Sequence, residues 1–189
     1  MKKIIAVLAS GSGTNAENII RYFHESDVAE VGLVLTNRKQ ARVLERAERL
    51  GVAHAYFNKE SWQDGQEILA LLKEKKIDFV VLAGFLARVP DIILHEYPDL
   101  MTNIHPSLLP RHGGQGMYGD RVHEAVLADG DAESGITIHY TNEVYDEGRI
   151  ICQKRCPVMA DDTVESLAAR VHQLEYEWYP RVIEELLSR

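Results

Sequence analysis

Ile4 to Ala9 is an unbroken apolar run that stops at Gly11-Ser12-Gly13. A run with no polar face predicts a strand covered on both sides in a parallel sheet, turning at the glycines into a helix. Val31 to Thr36 and Phe79 to Ala83 repeat the pattern, and helix-like stretches lie between them at Ala41 to Leu50 and Gln66 to Lys75. Residues 1–100 therefore predict a βαβαβ-like, Rossmann-type half. Shorter β-rich segments follow at Met101 to His105, Gly135 to Thr141 and Arg149 to Cys156, and the turn-rich Asn142 to Gly148 makes the last two a hairpin at one sheet edge. Val164, Leu167, Val171, Leu174, Trp178 and Val182 recur at steps of three and four, marking one face of a long closing helix. Asp162-Thr163-Val164-Glu165 is placed to cap its start. Four glycines in Gly113-Gly114-Gln115-Gly116-Met117-Tyr118-Gly119 predict a mobile loop between the Met101 strand and the hairpin. Together these elements predict an α/β, Rossmann-like three-layer fold, with a mostly parallel central sheet and an antiparallel hairpin at one edge. It reads as a single domain over residues 1–189, with a phosphate-binding half at 1–100 and a second half at 101–189.

Composition narrows the function. With 189 residues, 46% hydrophobic and 26% charged, the chain is in the globular range. A net charge of −8 is the wrong sign for neutralising many phosphates of DNA or RNA, so no nucleic-acid partner is expected. The apolar start is too short for a signal peptide and runs into the glycine turn, and no run reaches the roughly 18 residues of a membrane span. Cys152 and Cys156 form neither a C-x-x-C motif nor a zinc pattern and read as packing residues in a reducing, cytoplasmic setting.

Gly11-Ser12-Gly13-Thr14-Asn15 lies where a strand gives way to a helix, so its backbone N–H groups and the helix dipole would face an anion such as phosphate. A third glycine and a downstream acid, both needed for a dinucleotide, are missing, with Asn15 and Thr36-Asn37-Arg38 in their place. The plainer alternative is that Thr14-Asn15-Ala16-Glu17 forms only a capping box over a tight turn. Asn103 and His105, two apart on a strand that Pro106 stops, point to one face at the carboxyl end of the sheet, where ligands bind in such folds. Either they are catalytic or His105 is a structural histidine. Asp146, in the hairpin loop, could hold His105 as imidazolium and raise its pKa, or simply make a turn. Glu175 shares the buried face of the last helix, where a carboxylate needs partners: a donor in the core, or a polar ligand such as sugar hydroxyls. His139 could join the site, while His24, His54, His95, His112, His123 and His172 read as solvated or structural.

Asn103-Ile104-His105-Pro106-Ser107-Leu108-Leu109-Pro110 resembles the folate-dependent formyltransferases. The resemblance extends over nearly the whole chain, through Ser10 to Asn15, Val81-Leu82-Ala83-Gly84-Phe85, Gly135 to His139, Asp146-Glu147-Gly148 with Gln153, Asp162-Thr163, and Glu175 with Tyr179-Pro180. It implies that Asn103, His105 and Asp146 are the catalytic amide, general acid and supporting carboxylate. It further implies that Gly11 to Asn15 hold a substrate phosphate, Glu175 contacts the acceptor, and Leu86-Ala87-Arg88-Val89 with Asn142, Glu143, Val144 and Tyr145 wall a folate pocket in the second half. The implied reaction is formyl transfer from 10-formyltetrahydrofolate to the amine of a phosphoribosylated glycinamide in purine synthesis, without a metal, by a monomer or homodimer. The alternatives are another folate-dependent formyltransferase, a formyltetrahydrofolate hydrolase, or a non-catalytic nucleotide-binding module. Three departures stand out: Leu86-Ala87-Arg88 where the family carries an arginine earlier, no arginine from Gly51 to Ala87, and a longer, glycine-richer loop from Arg111 to Arg121.

Overall fold

The computed structural model describes residues 1–189. Seven strands form one sheet: β1 (Lys3–Leu8), β2 (Ala29–Thr36), β3 (His54–Tyr56), β4 (Phe79–Leu82), β5 (Met101–His105), β6 (Glu133–Tyr140) and β7 (Ile150–Pro157). Their order is β3-β2-β1-β4-β5-β6-β7. The first five are parallel, β6 runs antiparallel to β5, and β7 antiparallel to β6 at the edge. The sheet is thus the mostly parallel one that the apolar runs demand, with the expected hairpin.

Both faces of the sheet are covered, because alternate residues of β1 feed two separate cores. Ile5 and Val7 pack with α1 (Thr14–His24), α2 (Arg42–Arg49) and α7 (Val164–Leu187). Ala6 and Leu8 pack with α3 (Lys59–Asp64), α4 (Gln66–Glu74) and α5 (Asp91–Glu96) on the other face. The remaining helix, α6 (Asp120–Ala128), precedes β6 and lies against α7.

Helix starts follow side-chain chemistry, and the expected cap forms at α7 with a different partner. At α7, Thr163 is the N-cap and exchanges hydrogen bonds with Ser166, not with Glu165: its Oγ1 accepts from Ser166 N at 3.2 Å, and Ser166 Oγ accepts from Thr163 N at 2.9 Å. Asp162 instead takes the Arg170 guanidinium at 2.7 and 2.9 Å. No capping box forms over Thr14 to Glu17, since Gly13 is the N-cap of α1 and contributes no side chain.

Tyr179 fixes α7 against the working end of the sheet. Its fully buried hydroxyl lies 2.9 Å from the Leu82 carbonyl at the end of β4 and 3.1 Å from the Thr102 carbonyl in β5. Removing the hydroxyl takes a buried hydrogen bond from these strand ends with no water to replace it. Tyr179→Phe should lower the unfolding free energy by about 1–3 kcal/mol, read as a lower urea midpoint at constant slope; an unchanged midpoint would contradict this role.

Candidate active site

Strand order reverses between β1 and β4, and the crevice at such a switch point is where open α/β sheets place ligands. Ser10, just past β1, braces this crevice. Its hydroxyl donates to Asn37 Oδ1 at 2.6 Å and accepts the Leu86 N–H at 2.8 Å, tying together the segments that leave β1, β2 and β4.

The glycine turn follows. Gly13 has φ 75°, and a Cβ there would fall 2.5 Å from Val43 Cγ2, so α2 packs against the turn too closely for any side chain. The turn carbonyls are tied back to α2: Gly11 O accepts from Val43 N at 3.3 Å and Ser12 O from Arg46 Nε at 2.7 Å. The N–H groups of Gly11 to Asn15 have no backbone acceptor and stay free for a ligand. Glu17, one turn into α1, bonds Arg21 at 2.8 Å, Arg49 at 2.7 Å and Arg46. Hydrogen bonds from Arg21 and Arg46 hold its carboxyl down at about 2.

At the other side of the crevice, the alternation of β5 does put Asn103 and His105 on one face. The β5–β6 register sets His139 directly opposite Asn103, so Asn103 Nδ2 lies 3.2 Å from His139 Nε2. His139 Nδ1 is 2.9 Å from the Tyr140 carbonyl and donates to it, so Nε2 accepts from Asn103 while the ring is neutral and donates to Asp146 when the ring is charged. Asp146 enters from the hairpin loop in a left-handed conformation, φ 58°. Its Oδ2 lies 3.4 Å from His105 Nδ1 and accepts the Gly114 N–H at 2.9 Å, while Oδ1 is 3.5 Å from both Asn103 Nδ2 and His139 Nε2. Gly148 makes the approach possible, because a Cβ there would sit 1.6 Å from the Tyr140 carbonyl.

The electrostatics differ from the sequence expectation at one point. His105 is 4% exposed, and loss of water pulls its imidazole below the usual value. The Asp146 carboxylate and the His112 carbonyl oppose that shift without reversing it. Asp146 therefore does not raise His105 overall: burial outweighs the pairing. The Asp146 carboxyl is itself lowered; its own burial works against this, and His139, His105 and the Gly114 N–H more than offset it.

One cleft of about 620 Å³ runs from Gly11 to Asn15 across to Asn103, His105 and Asp146, roofed by the loop from Gly114 to Gly119. Glu175 lines it and is 6% exposed, with Oε2 accepting from Asn15 Nδ2 at 2.9 Å. Burial raises its carboxyl, against His172 and Asn15. The first alternative, a donor in the core, is met by Asn15, and the same carboxylate borders the cleft. A second, narrow crevice of about 60 Å³ opens beside Asn103 and is walled by Ala87, Arg88, Val89 and Asn142 to Asp146. Leu86 faces the main cleft instead. The crevice is far smaller than the roughly 300 Å³ of a small-molecule pocket, so a pteridine-sized ring enters only if its walls part. Arg88 is turned to the surface, bonding Asp91 at 2.6 Å.

Three further histidines lie in or near the site. His139 completes the polar cluster. His123, read as solvated or structural, is buried at the cleft margin, and burial and His172 push it down to about 4; His112, read the same way, has a side chain only 7% exposed but lies outside the cleft lining. Its strand position already makes His139 a candidate in the sequence, whereas nothing local signals His123. No three His, Cys, Asp or Glu side chains are arranged to hold a metal ion.

Comparison with known proteins places this geometry among relatives. A family profile described as "Formyl transferase" matches residues 2–183. Phosphoribosylglycinamide formyltransferase of Bacillus subtilis (strain 168) is 38% identical over 193 residues, covering 100% of this chain and 96% of that one. The chloroplastic phosphoribosylglycinamide formyltransferases of Arabidopsis thaliana and Vigna unguiculata are 40% and 37% identical over 96% and 98% of this chain, which spans 64% and 61% of their length. The crystal structure of phosphoribosylglycinamide formyltransferase from Bacillus halodurans superposes with a TM-score of 0.89 at 35% identity, over 99% of this chain and 96% of that one.

The balance around His105 can be read directly. In histidine-labelled protein followed by NMR, His105 should titrate below 6.5. Asp146→Asn should move the midpoint further down, since burial remains while the opposing charge is gone. A wild-type midpoint above the ordinary imidazole value, or an upward move in the variant, would contradict the assignment.

Proposed function

The chain belongs to the formyl transferase family, and from that membership and its cleft we propose that it transfers a formyl group from 10-formyltetrahydrofolate to the primary amine of 5-phosphoribosylglycinamide. The observation that carries this reading is a single cleft with an anion-ready turn at one end and an amide, an imidazole and a carboxylate at the other. A phosphorylated acceptor suits the first end, and acyl transfer suits the second. Water or an unphosphorylated acceptor would leave the turn without a task. The 64% and 96% spans of the relatives named phosphoribosylglycinamide formyltransferase support the same substrate.

In this reading the backbone N–H groups of Gly11 to Asn15 take the phosphate, and Glu175 takes polar groups of the acceptor between phosphate and amine. The folate enters the crevice beside Asn103, against Ala87 to Val89 and Asn142 to Tyr145. Holding both reactants in one cleft makes the attack effectively unimolecular. The neutral amine attacks the formyl carbon, the carbonyl π pair moves to oxygen, and the bond to the folate N10 then breaks as the carbonyl re-forms. One proton leaves the attacking nitrogen and one arrives on N10, with Asp146 relaying through water. His105 as imidazolium and the Asn103 amide donate to the oxygen as its charge grows. Asn103 has a donor to spare for this, since its 3.5 Å contact with Asp146 is weak.

Asn103→Ala and His105→Ala should each lower kcat by about 10² to 10³ with little change in KM for the acceptor, in an assay that follows loss of formylfolate on addition of phosphoribosylglycinamide. Near-normal turnover by either folded variant would remove the proposed centre. The unphosphorylated riboside should lose most of its kcat/KM, and equal use of both acceptors would argue against the phosphate assignment. Against pH, kcat/KM should pass through a maximum, falling towards acid as the amine protonates and towards alkali as His105 loses its proton. A rate that keeps rising into alkaline solution, or one that holds steady into acid, would not fit.

A further inference from the structure

The two ring nitrogens of His105 meet different partners, and this divides their work. Nε2 lies 2.7 Å from the backbone carbonyl of His112. A carbonyl oxygen only accepts, so Nε2 keeps its hydrogen whether the ring is neutral or charged. Nδ1 faces the Asp146 carboxylate at 3.4 Å and is the nitrogen left to gain and lose a proton.

The His112 carbonyl does not reach that position by default. His112 has φ 53°, a left-handed conformation that costs energy for a residue with a Cβ. Its own side chain holds it there, with Nε2 donating to Asp131 Oδ2 at 2.8 Å in a pair whose side chains are 7% and 9% exposed. Asp131 also takes the Arg111 guanidinium, and its N–H is anchored to the Val126 carbonyl of α6 at 3.2 Å. From the other side, Ser107 Oγ donates to the Arg111 carbonyl at 2.7 Å. The charged and titratable groups facing the two rings are Asp146, His139 and His123 around His105, and Asp131, Asp129 and Arg111 around His112.

We propose that His112 and Asp131 are positioning residues for His105: their paired side chains set the His112 carbonyl against Nε2, lock the Nε2–H tautomer, and so make Nδ1 the nitrogen that takes up the charging proton and offers it as a hydrogen bond to the developing oxyanion. The kinetic part of this rests on the formyl-transfer reading above; the tautomer does not. Fixing the tautomer matters because a neutral ring with its hydrogen on Nδ1 would already have filled the position that faces Asp146.

Two measurements on the full chain test the proposal. Long-range proton–nitrogen NMR of the histidine-labelled wild type, above the titration of His105, should show a protonated Nε2 and a lone-pair Nδ1. The reverse pattern, or an even mixture, overturns the lock even if no variant folds. Asp131→Ala and His112→Ala should then give mixed tautomers and a kcat lower by about 10- to 100-fold, the scale seen when the partner that orients a working histidine is removed, with KM for both substrates near wild type. Asp131→Asn keeps an oxygen facing His112 Nε2 and should restore both the single tautomer and most of kcat. A folded Asp131→Ala protein with an unchanged tautomer, or with mixed tautomers and wild-type kcat, overturns the positioning role. Absence of formyl transfer in the wild type would count against the function alone, since the nitrogen shifts still decide the lock.

Discussion

The carboxylate of Asp146 has to lose water and yet stay charged, and much of the site is arranged to allow that. Its side chain is 11% exposed, a setting that favours the neutral acid unless donors surround it. The donors come from separate parts of the chain: Asn103 and His105 from β5, His139 from β6, and the Gly114 N–H from the long loop. Each brings its own requirement. Asn103 and His139 must stand in register across β5 and β6, Asp146 must adopt a left-handed backbone, and position 148 must have no side chain. A shift of one residue between β5 and β6 would turn His139 to the opposite face and leave Oδ1 short of a partner.

The same burial sets the character of His105. Pairing with a carboxylate usually raises an imidazole, and that local rule is the natural expectation from sequence. Here the ring is so enclosed that desolvation dominates, and the unliganded protein favours the neutral form more than free imidazole does. Charge on the ring is then available mainly where something else supplies compensation, such as an oxyanion forming in the cleft. An acid held in reserve in this way suits a reaction whose negative charge is transient.

How far the sequence could be read follows the range of each interaction. The apolar runs of β1, β2 and β4 and the three-and-four spacing of α7 are repeated signals, and they translate directly into elements. β3, with three residues, and α3 and α5, with six each, are too short to show a period, and their form is set by the core they cover. Glu17 shows the limit of local motifs: a carboxylate three residues after Thr14 looks like a capping partner, but arginines 29 and 32 residues further on hold it more strongly. The pairing of Asp146 with His105 spans a strand, a loop and a hairpin; the loop position made it one of two open readings, and the family resemblance favoured it. His112 meets His105 through its backbone carbonyl, a contact that a side-chain reading cannot detect.

Glu175 and Tyr179 stand one turn apart on α7, the first at the wall of the cleft and the second gripping the carbonyls at the ends of β4 and β5. The helix thereby acts as a ruler laid across the molecule. Any sliding or rotation of α7 would displace this wall of the cleft and strain the anchorage of β4 and β5 together, so the two sides of the cleft are measured from one common mark.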